Sequence, residues 1–513
     1  MDAAEDSKAS VLHREQALVQ QEQHMSAWEC MKQNPKVVLC TLYANIGSIM
    51  IGYDNLSLAV CLAMPAFQMT MAQEVNGEMT IPAYWQSAWN AMYNVMCMFG
   101  SFAAGYIQDW FGRRVTFLLT AVFAAAGIAL NYTAVDSAHF LGGKIVTGFS
   151  IGLALTAGQT YVSEIAPLPM RGIALTFNTI LMNLGMLIAV SSTYSRVDIM
   201  DQSAFRVLFA AAWVFPALFL VGLPFIPESP YWLVMKNRHD EAKKALRRLH
   251  SSREDLDSRF MQIVAVEEHE RSLRQDAADT SYLDCFRGTN WRRTRIILIC
   301  NYMPQVVGAV LSANAPYFLN QTGMASATVI MLVQIGISLG VASSVLNILF
   351  MMRFNHRALM FGGVGVCTLM YLIMGIAGCF PRTTTTLLVI GIVLQITPLS
   401  YGPAVGPSNA VAGEVSAVRL RSKSLGVGIC FQYIASTVWN IVMPYLFNST
   451  EANLGGNIGW IFFGQGLLML VVMFYDVPGT KGRTFEELDT MFEHKLPARA
   501  FEGWESSHRV PAA

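Results

Sequence analysis

The sequence predicts an all-α membrane protein: twelve transmembrane helices arranged as two similar six-helix bundles. Three observations carry this. Hydrophobic residues make up 53% of the 513, and charged residues only 14%, where a soluble chain would carry nearer a quarter charged. Apolar runs of the roughly 20 residues needed to cross a bilayer are centred near residues 50, 95, 123, 150, 182, 215, 306, 338, 368, 395, 434 and 467. Finally, two charged segments far apart say the same thing. Ser-Glu-Ile-Ala-Pro-Leu-Pro-Met-Arg carries Glu164 and Arg171, and Gly-Glu-Val-Ser-Ala-Val-Arg-Leu-Arg carries Glu414 and Arg421. In both, the acid stands seven residues before the arginine, between one apolar run and the next. A charged motif repeated between membrane-length segments implies two like halves, an architecture known from membrane carriers.

In chain order, residues 1–35 form a polar tail, read as disordered or as an amphipathic helix. The tail has no apolar core, so no cleavable signal peptide is expected and the first span directs insertion. Spans 1–6 occupy 36–226. Residues 227–293 are charged and read as a linker with short helices, over 239–250 and 255–274. Spans 7–12 occupy 294–477, and 478–513 form a second polar tail. Arg113, Arg114, Arg171, the stretch Lys236–Arg295, Arg353, Arg357, Arg419, Arg421 and Lys423 all follow even-numbered spans. The alternate loops hold few such residues, with Arg196, Arg206 and Arg382 as exceptions. This bias places both termini and the linker in the cytoplasm. Three Asn-x-Ser/Thr sequons, at Asn131, Asn320 and Asn448, fall on the opposite side as glycosylation candidates.

The nine cysteines are scattered, mostly within spans, and read as small apolar filler. No nucleophile–base set, phosphate-binding loop or metal-ligand spacing stands out. Neither an enzyme, a cofactor, a metal nor a nucleic-acid partner is therefore expected, and the formal net charge of zero favours no charged partner. The expected partners are a small molecule, protons and the lipid bilayer.

Amides recur at helical spacing. Gln86, Asn90 and Asn94 share one face of span 2; Asn301, Gln305, Gly308 and Ser312 share one of span 7. Gln432, Ser436 and Asn440 do so on span 11, beside Trp439. Side chains with this many donors and acceptors do not face lipid. They either bond helix to helix or line a shared hydrophilic cavity; three such stripes favour the cavity.

Asp54, inside span 1, is the sharpest signal. A charge at mid-membrane costs at least about 2.5–3.5 kcal/mol on insertion scales, so it must be paired, protonated or wet. Lys144, at the start of span 4, is its expected partner. Two readings stand: a proton switch, in which protonating Asp54 releases Lys144, and a static ion pair fixing spans 1 and 4. Gly105-Tyr-Ile-Gln-Asp-Trp-Phe-Gly-Arg-Arg closes span 2 with Asp109, Arg113 and Arg114. With Glu164, Arg171 and Glu228 these charges form either a latch between helix ends or a solvated cluster contributing little.

These motifs resemble the sugar-porter branch of the major facilitator superfamily, and within it the fungal hexose and maltose-type permeases. The resemblance covers about residues 37–500. It rests on GYD at 52–54, GYIQDWFGRR at 105–114, GKIVTGFSIG at 143–152, SEIAPLPMRG at 163–172, PESPYWL at 227–233, GEVSAVRLRSKS at 413–424 and VPGTKGRTFEELDTMFE at 477–493. It implies two bundles, each an inverted pair of three helices, rocking about a central site. It also implies that Asp54 carries the proton in coupled members, with Lys144 where arginine is usual. Asp109, Arg113, Arg114, Glu164, Arg171 and Glu228 then match the family's inner gate, with Glu414 and Arg421 in the second half. Departures accompany the matches. Ile51 and Cys97 stand where maltose-type permeases usually carry acids. The span-5 sugar amide becomes Thr179, with Asn178 adjacent. Gln305 alone remains of a span-7 glutamine pair, behind Pro304. Asn409 replaces a span-10 aromatic, and Met352 and Gly479 replace second-half acids.

Three functions follow: proton-coupled uptake of a sugar or glycoside, transport or export of a less polar metabolite, and nutrient sensing without transport. Asp54, Lys144 and the amide stripes favour the first. The missing sugar contacts, together with Met92, Met96, Met182 and Met186, favour the second. The short C-terminal tail counts against the third. A plasma-membrane location is what the resemblance implies.

Overall fold

Long apolar runs have no water to satisfy their peptide groups inside a bilayer, so they close their hydrogen bonds as helices. A computed structural model describes residues 27–75, 78–196, 199–249, 256–257, 259–265, 267–268, 281–381, 383–416, 420–448, 450–481 and 485–501. Ten of its helices are long and apolar enough to cross a membrane. They are span 1 (Pro35–Ala63), span 3 (Arg113–Thr133), span 4 (Ser137–Ile165), span 6 (Ser203–Gly222), span 7 (Gly288–Ala313), span 8 (Ser326–Arg353), span 9 (His356–Gly378), span 10 (Thr384–Val415), span 11 (Arg421–Phe447) and span 12 (Gly455–Asp476). Span 2 (Ala83–Phe111) and span 5 (Leu168–Thr193) complete the expected twelve. Span 2 is less apolar because it carries the Gln86, Asn90 and Asn94 stripe.

One addition departs from an all-helical chain. Gln73–Val75 and Glu78–Thr80 pair antiparallel between spans 1 and 2. The Asn-Gly dipeptide between them is a strong hairpin signal in the sequence. This end of the molecule is termed the hairpin side, and the opposite end, where residues 223–287 connect the halves, the linker side. On the linker side lie the short helices Pro230–Met235 and His239–Leu249, the second amphipathic and packed on the first through Trp232, Leu233, Ala242 and Leu246.

Within the first half, span 2 packs on span 4, span 3 on spans 4 and 6, and span 1 on span 5. The second half repeats this, with span 8 on span 10, span 9 on spans 10 and 12, and span 7 on span 11. The halves meet through the pairs 2–11 and 5–8, which a two-fold relation would exchange. Lipid gives helices no hydrophobic reason to associate, so small residues that let backbones touch decide where they do. At Gly52, an added Cβ would lie 1.8 Å from the Met182 carbonyl oxygen, and at Gly185 one would lie 2.0 Å from that of Ile49. Spans 1 and 5 are thus in backbone contact.

Several spans break where proline or asparagine interrupts the ladder. Span 1 breaks at Asn45, whose Nδ2 donates to the Thr41 carbonyl at 2.8 Å. Span 6 breaks at Trp213, just before Pro216, which has no N–H to offer Ala212. Span 10 breaks at Thr397–Pro398. Span 7 is the most divided: Gly288–Val306, Ala309–Ala313, then Ala315–Gln321 beyond it. Pro304 precedes the first break, and Gly308 adopts φ +71°, a left-handed conformation that favours glycine. The Val307 carbonyl, released from the ladder, accepts instead from Tyr371 Oη at 2.9 Å.

Candidate functional site

Asp54 and Lys144 meet. Lys144 Nζ lies 3.0 and 3.1 Å from the two Asp54 carboxylate oxygens. The lysine side chain is 2% exposed and the aspartate 13%. The ammonium also lies 5.5 Å from the Tyr93 ring centroid and 5.9 Å from that of Phe140. The contact of spans 1 and 5 through Gly52 fixes the helix carrying Asp54, and Tyr53 Oη anchors it to span 6 by donating to the Leu208 carbonyl at 2.6 Å. A small cavity of about 20 Å³, room for about one water molecule, lies beside the carboxylate, with Ser57, Asn131 and Thr147 among its polar lining. The ionisable pair that the sequence predicts inside the spans is therefore formed, largely buried and beside a cavity the size of a water molecule.

On the linker side, charges of the first half also meet. Arg113 donates to Glu164 through Nε at 2.9 Å and Nη2 at 2.5 Å, a bidentate contact with the arginine buried and the glutamate side chain 10% exposed. Glu228 caps span 3: its carboxylate accepts the backbone N–H groups of Arg113 at 2.8 Å and Arg114 at 3.2 Å. An anion at a helix N-terminus is stabilised by unpaired N–H donors and the helix dipole. Gly112, at φ +91°, makes room for it, since a Cβ there would lie 2.6 Å from Glu228 Oε2.

Two expected members are placed otherwise. Asp109 is exposed, and it is its backbone carbonyl that accepts from Trp232 Nε1 at 3.1 Å. Arg114 donates from Nη2 to the Leu223 carbonyl at 3.2 Å, not to an acid. Among the described residues, the first-half cluster is thus Arg113, Glu164 and Glu228. The side chains of Arg171 and Arg421 lie outside the described residues. Glu414, in the second half, faces His356 Nδ1 at 3.8 Å.

The amide stripes lie on helix faces, and several of their amides spend one N–H on their own helix. Asn90 donates to the Gln86 carbonyl, Asn94 to that of Asn90, and Asn301 to that of Ile297. Gln86 Nε2 donates to the Ile81 carbonyl at 2.9 Å and to Tyr317 Oη at 3.1 Å across the halves. Trp439 donates to Tyr302 Oη at 3.2 Å and stacks on Phe462. Gln305 is buried with its Oε1 unpartnered. Asn178 and Gln432 are half-buried and Asn409 exposed, none held by a hydrogen bond among the described residues. Gln305, Asn178, Gln432 and Asn409 therefore keep polar atoms that no hydrogen bond among the described residues uses.

The sequence reading missed Tyr317, Asn183 and His356. Asn183 Nδ2 donates to Ser344 Oγ at 3.1 Å between spans 5 and 8. Its signal was present, one helical turn beyond Thr179. Two glycosylation candidates need correction. Asn131 is 1% exposed inside span 3, donating to Thr147 Oγ1 at 3.2 Å, and Asn448 is 2% exposed. A side chain so buried is closed to a glycosyltransferase. Asn320 is half-buried and donates to Ser326 Oγ at 2.9 Å.

Comparisons with known proteins agree with this geometry. The "MFS transporter fmqE" of Aspergillus fumigatus is 28% identical over 511 residues, covering 95% of this chain and 94% of that one. The "General alpha-glucoside permease" of Saccharomyces cerevisiae is 28% identical over 494 residues, covering 94% and 79%. Among solved structures, the xylose transporter XylE from E. coli in an inward-open conformation superposes with a TM-score of 0.71 at 21% identity, covering 89% of this chain and 99% of that one. The family model described as "Sugar (and other) transporter" matches residues 40–492. This chain is a multi-pass membrane transporter with the major facilitator fold, and it belongs to the sugar transporter family.

Proposed function

We propose that the chain takes up a sugar or glycoside together with a proton, by alternating access. The single observation that carries coupling is the buried Asp54–Lys144 pair beside a cavity. Protonating the carboxylate removes the counter-charge that holds Lys144, freeing span 1 from span 4; deprotonation restores the pair. Both termini and the linker are cytoplasmic on this reading, supported by the Arg and Lys residues at the linker side. The bundles are residues 36–226 and 294–477, joined by 227–293, in a plasma-membrane protein with tails 1–35 and 478–513. Hydrogen bonds between the halves support an inward-facing state. Gln86–Tyr317, Ser87 to the Ile441 carbonyl, and Gln334–Ser191 lie on the hairpin side, and Asn94–Ser436 and Asn183–Ser344 near mid-span.

The substrate contacts in this proposal are Gln305, Asn178, Gln432 and Asn409, with Gln86, Asn90, Asn94, Asn301 and Trp439 joining as the halves rock. A second reading has a specific observation behind it. Asn90, Asn94 and Asn301 each commit one of their two amide N–H groups to their own helix. Each buried hydroxyl of a sugar left unpaired costs about 1–3 kcal/mol, so a less polar metabolite fits this arrangement better than a hexose does.

Counterflow and gradient-driven uptake in proteoliposomes, with glucose, xylose and maltose as probes, test both readings. Asp54→Asn is expected to keep exchange and to lose accumulation driven by a pH gradient. Accumulation undiminished in Asp54→Asn removes the coupling role. Absence of exchange with every sugar in the panel favours the metabolite.

A further inference from the structure

The second half repeats the first-half latch with one substitution of chemistry. Span 3 begins at Arg113 and span 9 begins at His356. Arg113 meets Glu164 near the end of span 4; His356 meets Glu414 near the end of span 10. A permanently charged guanidinium in one half is thus an imidazole in the other. The distances differ accordingly: 2.5 Å in the first half, 3.8 Å in the second. The His356 side chain is 10% exposed, and both its Nδ1 and Glu414 Oε2 are buried without a hydrogen-bond partner. The Thr480 hydroxyl faces the same carboxylate and is also unpartnered. Gly479 stands where Glu228 caps the equivalent helix of the first half, so no second acid competes for His356 from that segment.

We propose that His356 and Glu414 form a second proton-binding site, on the linker side and separate from Asp54. A proton arriving at the imidazole creates the cation that Arg113 supplies permanently in the first half. The imidazolium then donates to Glu414, joining spans 9 and 10; loss of the proton parts them. Histidine is the side chain whose ordinary titration lies nearest neutral pH, so cytoplasmic pH, on the orientation proposed above, sets how tightly this end of the second half is held.

Among the described residues, most other charges at this end are engaged elsewhere or exposed. Arg357 of span 9 donates to the Phe474 carbonyl at 3.1 Å, and Lys481 donates to the Met351 and Phe354 carbonyls, each at 2.9 Å. Asp476 of span 12 pairs with Arg295 of span 7. Arg353 of span 8 is exposed, and Glu487 of the helix Phe485–Glu493 has its own interaction. Among the described residues, Glu414 is the carboxylate that pairs with His356.

Amide hydrogen exchange on the full chain in nanodiscs tests the site without a substrate. An Asp54→Asn background removes the other proposed proton site, so failure of that reading leaves this one measurable. After correction for intrinsic rates, peptides covering 354–362 and 410–416 are expected to exchange about tenfold more slowly at pH 6 than at pH 8, the protection a closed ion pair adds. His356→Arg is expected to be slow at both pH values; His356→Gln and Glu414→Gln are expected to be fast at both. Should a glutamine variant unfold, which shows as loss of protection throughout the chain, the arginine variant carries the test. The proposal is overturned if protection does not change with pH in the background chain, if His356→Gln or Glu414→Gln keeps the change, or if His356→Arg still responds.

Discussion

At the residue scale, the decisive fact is that two opposite charges are buried together at membrane depth. Lys144 is nearly inaccessible, and Asp54 is its acidic partner within 4 Å. Removing one member of a buried pair strands the other, at a cost of about 3–5 kcal/mol, whereas replacing both can be nearly neutral. Lys144→Met alone is therefore expected to lower the stability of the purified carrier substantially. Asp54→Asn together with Lys144→Met should recover most of the loss. Thermal unfolding of the two singles and the double closes the cycle, and additive losses would show that the pair is not coupled. Asp54 and Lys144 were legible as partners because an ionisable residue in a span has so few solutions. Asp109 was legible only as a charge near a gate. Its exposure and the use of its carbonyl by Trp232 depend on where the linker helix docks.

At the element scale, the informative helices are those that break. Span 7 divides after Pro304, and Gly308 occupies a left-handed conformation directly against Tyr371. A Cβ at position 308 would lie 1.8 Å from Tyr371 Oη. Gly308→Ala must strain the backbone and displace the hydroxyl that satisfies the Val307 carbonyl. It is expected to cost more than Tyr371→Phe, which removes only a buried hydrogen bond worth about 0.5–1.5 kcal/mol net. Thermal melts of both variants check the order. A harmless Gly308→Ala would mean that the turn relaxes freely. The proline marked this break in advance, but the tyrosine that completes it comes from span 9, 64 residues away in sequence. The same limit applies to the sequons. Asn131 looked like a loop residue by motif, yet span 3 runs through it and buries it.

At the scale of the whole molecule, the two halves are joined by polar contacts toward the hairpin side and at mid-span. Gln86–Tyr317 and Ser87–Ile441 connect span 2 to the second half. Carrying each bond only in this state biases the equilibrium between states. Tyr317→Phe together with Ser87→Ala is expected to shift it by about 1 kcal/mol or more toward a form open on the hairpin side, at roughly 1 kcal/mol per bond. Spin-label distances between the hairpin-side ends of spans 2 and 11 read this as a larger long-distance population. An unchanged distribution would place the closing force elsewhere.

Span number, order and the repeat of the halves follow from the sequence alone, because membrane-length apolar runs and interspersed charges leave the chain few ways to fold. The seven motifs carried the resemblance for the same reason: five sit at helix ends whose position the spans fix, and GYD at 52–54 and GKIVTGFSIG at 143–152 place the buried Asp54 and Lys144 inside spans 1 and 4. What the tertiary structure decided is which polar groups remain free. Helical spacing puts Asn90, Asn94 and Asn301 on faces, but only packing reveals that they bond their own helices while Gln305 and Asn178 do not. Likewise, His356 is an ordinary loop-edge residue in the sequence. It becomes the counterpart of Arg113 only when span 9 meets span 10, because a side chain's chemistry depends on the partner that folding brings within a few ångströms.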